Sequence, residues 1–171
     1  MKIALRLLPA AFLLLAFGCS KSSSHTATAA DGTKITQSSK GDKVSMDLTS
    51  KSGGNTSLNV SESGMALPKD FAKDIPIHPK GVVQMFNQIG ADHTQLAIVV
   101  ALPAAEVTAF YEAEFKKQGW AGAPSINRGE GITMMWPKKD QRSISLTISP
   151  QDPPQDPKTT FVMMMITTAA K

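Results

Sequence analysis

The chain has 171 residues, of which 42% are hydrophobic and 19% charged, with a formal net charge of +4 and one cysteine. This length suffices for one domain of ordinary size, and a single cysteine excludes an intramolecular disulfide. Without Lys2 and Arg6, the basic residues of positions 1–18, 16 basic and 14 acidic residues remain, a charge of +2. A charge this small, with no Lys/Arg cluster around aromatic residues, gives no case for nucleic-acid binding.

Residues 1–18 have the pattern of a secretory signal peptide. Two basic residues precede an apolar run over residues 7–17, and the small residue Gly18 follows it. The run is shorter than the ~20 residues that a membrane-spanning helix needs. Residues 15–19, LAFGC, resemble the bacterial lipobox. The resemblance implies that Cys19 becomes the first residue of the mature protein and carries a diacylglycerol on its thiol and a further acyl chain, such as palmitate, on its amine.

The lipobox resemblance also implies a location. Several acyl chains make membrane anchoring durable, so we expect a protein attached to the bacterial cell envelope and facing the periplasm. Ser20 rather than aspartate follows the cysteine, which favours the outer membrane over the inner one. Residues 19–33 contain no large apolar side chain, and we expect them to form a lipidated, flexible tether.

Residues 34–63 are predicted to form a small, polar β-meander. Val44, Met46 and Leu48 alternate with polar residues, which is typical of a half-buried strand. Residues 34–38 and 56–60 are further candidate strands, and the glycine-containing separators favour hairpin turns. A meander with so few large side chains is not expected to be stable alone.

Residues 67–79, LPKDFAKDIPIHP, contain three prolines that block a helix and favour extended backbone. The segment resembles an LP-x-x-F-P-x-D-x-P-x-x-P pattern of uncharacterised proteobacterial envelope lipoproteins, with Ala72 where that family often has proline. The resemblance covers residues 65–171 and implies a helix followed by Gly-Trp and several strands. No activity is attached to it.

Residues 65–171 are predicted to form an α+β module of order ββαβββ, with one helix on a mostly antiparallel sheet. The helix begins at Pro103, has apolar residues three and four positions apart, and ends at Gly119. The strands are predicted at residues 82–88, 95–102, 131–136, 142–149 and 160–167, and the proline-rich residues 150–157 form a loop.

One helix covers only one face of a sheet. We expect Ile144, Leu146 and Ile148 to face the helix. On the opposite face we place the following apolar residues: Ala97, Val99, Ala101, Val162, Met164 and Ile166. A register error of one residue reverses such an assignment. We expect the meander to cover this second face, and the alternative is a partner protein.

No pattern indicates a catalytic, cofactor or metal site, so Cys19 is the one predicted site residue. His78 and His93 lack a carboxylate or thiolate at the spacing of zinc ligands. The runs Met134-Met135 and 163–165 offer soft ligands for Cu(I), but consecutive strand residues point to opposite faces and methionine also fills cores. Glu106, Glu112 and Glu114 lie on one helix and are interpreted as solvated charge.

Three classes of function therefore remain. The first is a lipid-anchored cell-envelope protein that acts as an interaction or structural module, with an envelope protein as partner. The alternative is a periplasmic protein that binds a small ligand or copper. An enzyme ranks third, because no nucleophile, base or phosphate-binding motif occurs in the sequence.

Overall fold

The computed structural model describes residues 22–51, 54–122, 125–129, 131–151 and 158–169. The predicted signal peptide, Cys19 and the prolines of the 152–157 loop lie outside the described residues. The described elements are one helix, α1 (Ala104–Lys117), and eleven strands: β1 (Ser22–Thr28), β2 (Lys34–Lys40), β3 (Lys43–Thr49), β4 (Asn55–Ser61), β5 (Gly81–Ile89), β6 (His93–Val100), β7 (Ile126–Asn127), β8 (Thr133–Met135), β9 (Lys138–Lys139), β10 (Arg142–Pro150) and β11 (Thr160–Thr168).

All described strands join one antiparallel sheet in the order β1-β2-β3-β4-β5-β6-β11-β10-β8-β7, with β9 paired to β10. The predicted α+β class, with one helix on a mostly antiparallel sheet, is confirmed. The order ββαβββ is incomplete, because the short strands β7 and β9 flank β8. None of the described helices is long and apolar enough to cross a membrane.

The expectation of a flexible tether is wrong for Ser22–Thr28, which forms the edge strand β1. β1 pairs along its full length with β2, and the hydroxyls of Ser23 and Ser39 are 2.8 Å apart. Backbone pairing and hydroxyl contacts hold this strand, so it needs no large apolar side chain. A solvated tether and a polar edge strand have the same composition of small polar residues, so the sequence of Ser22–Thr28 does not distinguish them.

The meander lies elsewhere than expected. β4 pairs with β5, for example Val60 with Met85, so β1–β4 extend the sheet edge to edge and do not cover its second face. β6 pairs with one edge of β5 and leaves the other edge free. The backbone N–H and C=O groups of β4 pair with that free edge.

Helix α1 ends in a Schellman motif. The N–H of Gly119 donates to the carbonyl of Lys116 at 3.1 Å, and the N–H of Trp120 donates to the carbonyl of Phe115 at 2.9 Å. Gly119 has φ +77°, a conformation that glycine adopts without strain. The motif turns the chain so that the Trp120 ring contacts Phe115, with ring centroids 5.9 Å apart.

The core lies between α1 and one face of the sheet, called here the helix face. Ile144, Leu146 and Ile148 point there, as predicted, and are buried. Leu146 pairs with Met164, so β11 also directs its alternate side chains to the helix face. The prediction that Val162, Met164 and Ile166 lie opposite is therefore wrong. The run of three methionines hides the alternation, and only the pairing register resolves it.

Candidate functional site

A groove of about 460 Å³ lies on the helix face, beside the part that α1 covers. Its outer wall is the proline-containing segment of residues 65–75, called here the entry segment. The hydrogen bond from Met65 N–H to the Val83 carbonyl, 2.9 Å long, fixes the start of this segment against β5. The principal apolar side chains of the groove come from the entry segment, β5 and β11: Phe71, Ile75, Phe86 and Ile166.

A second cavity of about 410 Å³ adjoins the groove. The two share Ser57, Pro68 and Phe86 as lining residues, so Ser57 on β4 stands at their junction. Met65 and Leu67 add apolar surface to the second cavity, and Lys43, Ser45, Asp47 and Asn59 add polar surface. Together the two cavities form a trough with mixed apolar and polar lining, and a concave site that combines apolar walls with placed polar groups suits a small organic ligand.

Polar residues form nearly half of the groove lining: Ser57, Asp70, Gln88, Thr94, Arg142 and Thr168. The Thr94 hydroxyl donates to the Gln88 side-chain oxygen at 2.8 Å, and the Gln88 amide donates to the Gly90 carbonyl at 2.9 Å. Both side chains already make hydrogen bonds within the protein, so they do not require a hydrogen bond from a ligand. Asp70, on the entry segment, supplies a carboxylate at the lining.

A cluster of charges stands at one end of the groove, where Arg142 is a lining residue. Two guanidinium nitrogens of Arg142 donate to the Asp74 carboxylate at 2.8 and 2.7 Å, and Lys139 lies 2.9 Å from the same carboxylate. Hydrogen bonding to Arg142, followed by Lys139, holds the pKa of Asp74 well below its usual range, against the opposing effect of burial. The Arg142 guanidinium also lies 5.1 Å from the Trp120 ring centroid, a cation–π contact.

The charges of this cluster balance. Arg142 also lies 3.8 Å from Asp140, so two cations face two carboxylates. The Asp74 carboxylate neutralises most of the charge with which the Arg142 guanidinium would attract an anionic ligand. The arrangement therefore favours a neutral ligand over an anionic one.

A buried aromatic group lies beneath the helix. His78 is 7% exposed and packs edge-on to Phe110, with ring centroids 4.5 Å apart. Burial, and then the charge of Lys80, lowers the pKa of His78, while burial raises the pKa of Tyr111. His78 Nδ1 accepts a hydrogen bond of 3.2 Å from the backbone N–H of Lys80. These contacts give His78 a structural role in the neutral form.

The structure keeps the candidate metal ligands apart. His78 is buried, while His93 is exposed at the start of β6, where its ring contacts the Thr167 hydroxyl at 3.3 Å. Among the described residues, no three His, Cys, Asp or Glu side chains lie together as a possible metal site. The methionine runs divide between the two faces of the sheet, since Met164 and Met135 are buried in the core while Met165 is 41% exposed.

Sequence reasoning missed the groove. Its residues come from five separate segments of the chain, and none forms a motif. One signal existed, because Pro68, Pro76 and Pro79 exclude a helix over residues 67–79. The extended backbone expected there is wrong for the entry segment, which forms two turns: Phe71 N–H donates to the Pro68 carbonyl at 3.0 Å, and Ile75 N–H donates to the Ala72 carbonyl at 3.1 Å. The position of that chain depends on the pairing of β4 with β5, which local sequence does not define.

A START domain-like family model matches residues 83–159. This span runs from within β5 through β10 and includes α1, and it contains five of the thirteen groove residues: Phe86, Gln88, Ala91, Thr94 and Arg142. It covers less than half of the chain. No curated protein and no solved structure matches the sequence.

Proposed function

We propose that this is a lipid-anchored protein of the bacterial cell envelope that binds a small, neutral, mainly apolar molecule in the trough on the helix face. The observation that carries the proposal is the trough itself, in which Phe71, Ile75, Phe86 and Ile166 form apolar walls and the polar side chains of Gln88, Thr94 and Arg142 are already paired. The similarity to START domain-like sequences supports it, because that likeness is to a ligand-binding fold.

The lipobox resemblance of residues 15–19 supports the anchored location. Ser22 enters strand β1 three residues after Cys19, so an acylated Cys19 holds the sheet close to the membrane surface. A ligand exchanged with the bilayer would then travel only a short distance. This proximity favours an apolar molecule of the envelope over a water-soluble metabolite.

The proposal is tested with N-phenyl-1-naphthylamine, a neutral apolar fluorophore whose emission rises in apolar surroundings. The full chain is expected to bind it saturably with one class of site. Ser57→Trp places an indole at the junction of the two cavities and is expected to weaken binding at least about tenfold, a loss of about 1.4 kcal/mol.

The matched control is Ala113→Trp, which adds the same side chain at an exposed position of α1 outside the trough. It is expected to leave probe binding unchanged. Equal binding by both variants, with both folded by circular dichroism, contradicts a ligand site in the trough. Absence of saturable binding in the unmodified chain contradicts it as well.

A further inference from the structure

The sheet has a second face, which points away from α1 and is called here the open face. Antiparallel partners lie on the same face of a sheet, so the registers assign it. One continuous row of paired residues crosses eight strands of this face: Val44, Val60, Met85, Ala97, Met163, Thr147, Met134 and Ile126. Each residue of this row is the antiparallel partner of the next one, so strand pairing alone places all eight on the same face.

The exposed large apolar side chains concentrate on this face. Among the described residues six such side chains are at least 38% exposed: Val44, Val60, Val82, Ile89, Ile126 and Met165. The strand registers place all six on the open face. Scattered exposed apolar residues are ordinary, but their collection on one surface marks a contact site.

The open face is also almost free of charge. At its described strand positions, Lys138 on β9 is the one Lys, Arg, Asp or Glu. The charges of the meander, such as Lys43 and Asp47, point to the helix face instead. A surface built for anionic lipid headgroups carries clustered Lys and Arg, and this one does not. A surface without charge is compatible with a second copy of itself.

The layered packing of protein domains also favours a second copy of this sheet as the partner. The apolar stripe of a sheet needs a second layer to bury it. The meander has its stripe, including Met46 and Leu58, on the open face, where no described element packs over it. Eight long strands spaced about 4.8 Å apart, with about seven residues each at about 3.3 Å, give a face of about 900 Å². That matches the area that each partner buries in a stable complex.

We propose that the open face is the interface of a homodimer, in which two sheets pack face to face around a two-fold axis. Aligned sheets pack about 10 Å apart with interdigitated side chains. Met85, Met134, Met163 and Met165 suit such an interface, because methionine adapts its shape to the surface opposite. The dimer leaves the groove on the helix face accessible, while Val44 and Val60 border both the interface and the second cavity. The inference rests on the strand registers and does not depend on the proposed ligand.

The test measures the mass of the full chain in mild detergent by light scattering coupled to size-exclusion chromatography. A dimer is expected. Ile89→Lys combined with Met165→Lys puts charges into the interface and is expected to raise the dissociation constant at least about tenfold. The control Thr49→Lys, on the helix face of β3, is expected to leave the dimer intact. A monomeric unmodified chain overturns the proposal, as does a dimer that tolerates the double substitution.

A second measurement needs no variant. Peroxide oxidation of Met165 in the unmodified chain is expected to slow as the protein concentration rises, because the dimer shields the thioether. A rate independent of concentration overturns the proposal. Protection that appears only after addition of phosphatidylethanolamine–phosphatidylglycerol vesicles overturns it in favour of a membrane-facing surface.

Discussion

The guanidinium of Arg142 makes a bidentate hydrogen bond with the carboxylate of Asp74, across 68 positions of the sequence. This pair joins the entry segment to β10. The backbone carbonyl of the same aspartate accepts a 2.8 Å hydrogen bond from Trp120 Nε1, and Lys139 donates to the Gln118 carbonyl at 2.9 Å. The end of α1, the entry segment and the β9–β10 hairpin therefore meet at one point beside the groove.

Asp74→Asn is expected to lower the free energy of unfolding by about 1–3 kcal/mol at neutral pH, since a charge-assisted pair that is largely shielded is lost. Because the folded protein depresses the pKa of Asp74, its stabilisation is complete above the ordinary aspartate pKa of about 3.9 and is lost as the pH falls further. The difference between the two proteins should shrink below about pH 4. Urea unfolding at several pH values measures it.

Asp47→Asn is the control for this titration, because Asp47 is exposed on β3. It should change stability by no more than about 0.5 kcal/mol. A loss at Asp74 that stays constant down to pH 2 would mean that the ion pair does not carry the effect.

Trp120→Ala is expected to destabilise the protein by about 3–5 kcal/mol, because a buried indole is replaced by a cavity. Trp120 is 4% exposed and contacts Phe115 and Arg142. Trp120→Phe keeps most of the volume and loses the hydrogen bond to the Asp74 carbonyl, so it should cost less. Denaturant unfolding of both variants gives the comparison, and equal losses would argue against the packing role.

The sequence predicts some elements of the fold and misses others. The alternation of Val44, Met46 and Leu48 predicts β3, and Gly119 predicts the end of α1, because these features are local. β1 escapes prediction, since a polar strand held by backbone pairing has the composition of a coil. The position of the meander escapes it too, because edge-to-edge addition and face-to-face covering use the same alternating strands.

The groove could not be predicted from the sequence either, because it also depends on long-range strand pairing. Phe86 reads as one more apolar residue of a strand, and Arg142 reads as a charge at the start of another. Their relation depends on β5 and β10 being brought together through β6 and β11. Long-range pairing of this kind leaves no motif in the sequence, whereas the lipobox-like LAFGC is contiguous and is visible at once.

Lipidation is tested at Cys19 by metabolic labelling with a clickable palmitate analogue. The unmodified chain should carry the label and remain with the membrane fraction after cell breakage. Cys19→Ala should lose both properties, because no other thiol is present in the chain. Recovery of the unmodified chain as an unlabelled, soluble protein would contradict the lipid anchor.

His78 predicts a pH effect of its own. Because the folded state lowers the pKa of His78, the unfolded chain binds the proton more readily, and stability is expected to fall as the pH drops below about 6.5. His78→Phe should reduce this slope between about pH 7 and pH 5. The exposed His93→Gln is the control, and a wild-type slope in the His78 variant would assign the effect to another group.

The balanced charges beside the groove predict which ligands bind. Decanol and decanoate share the same chain length and differ in the charge of one end. Decanoate must either leave its carboxylate near Asp70 or compete with Asp74 for Arg142, and both cost free energy. Decanol should therefore displace N-phenyl-1-naphthylamine at a concentration at least about tenfold lower at neutral pH. Asp70→Asn should narrow the difference, while Glu106→Gln, at an exposed position of α1 outside the trough, should not. A preference for decanoate would show that Arg142 is available to an anionic ligand, and the neutral-ligand assignment would then be wrong.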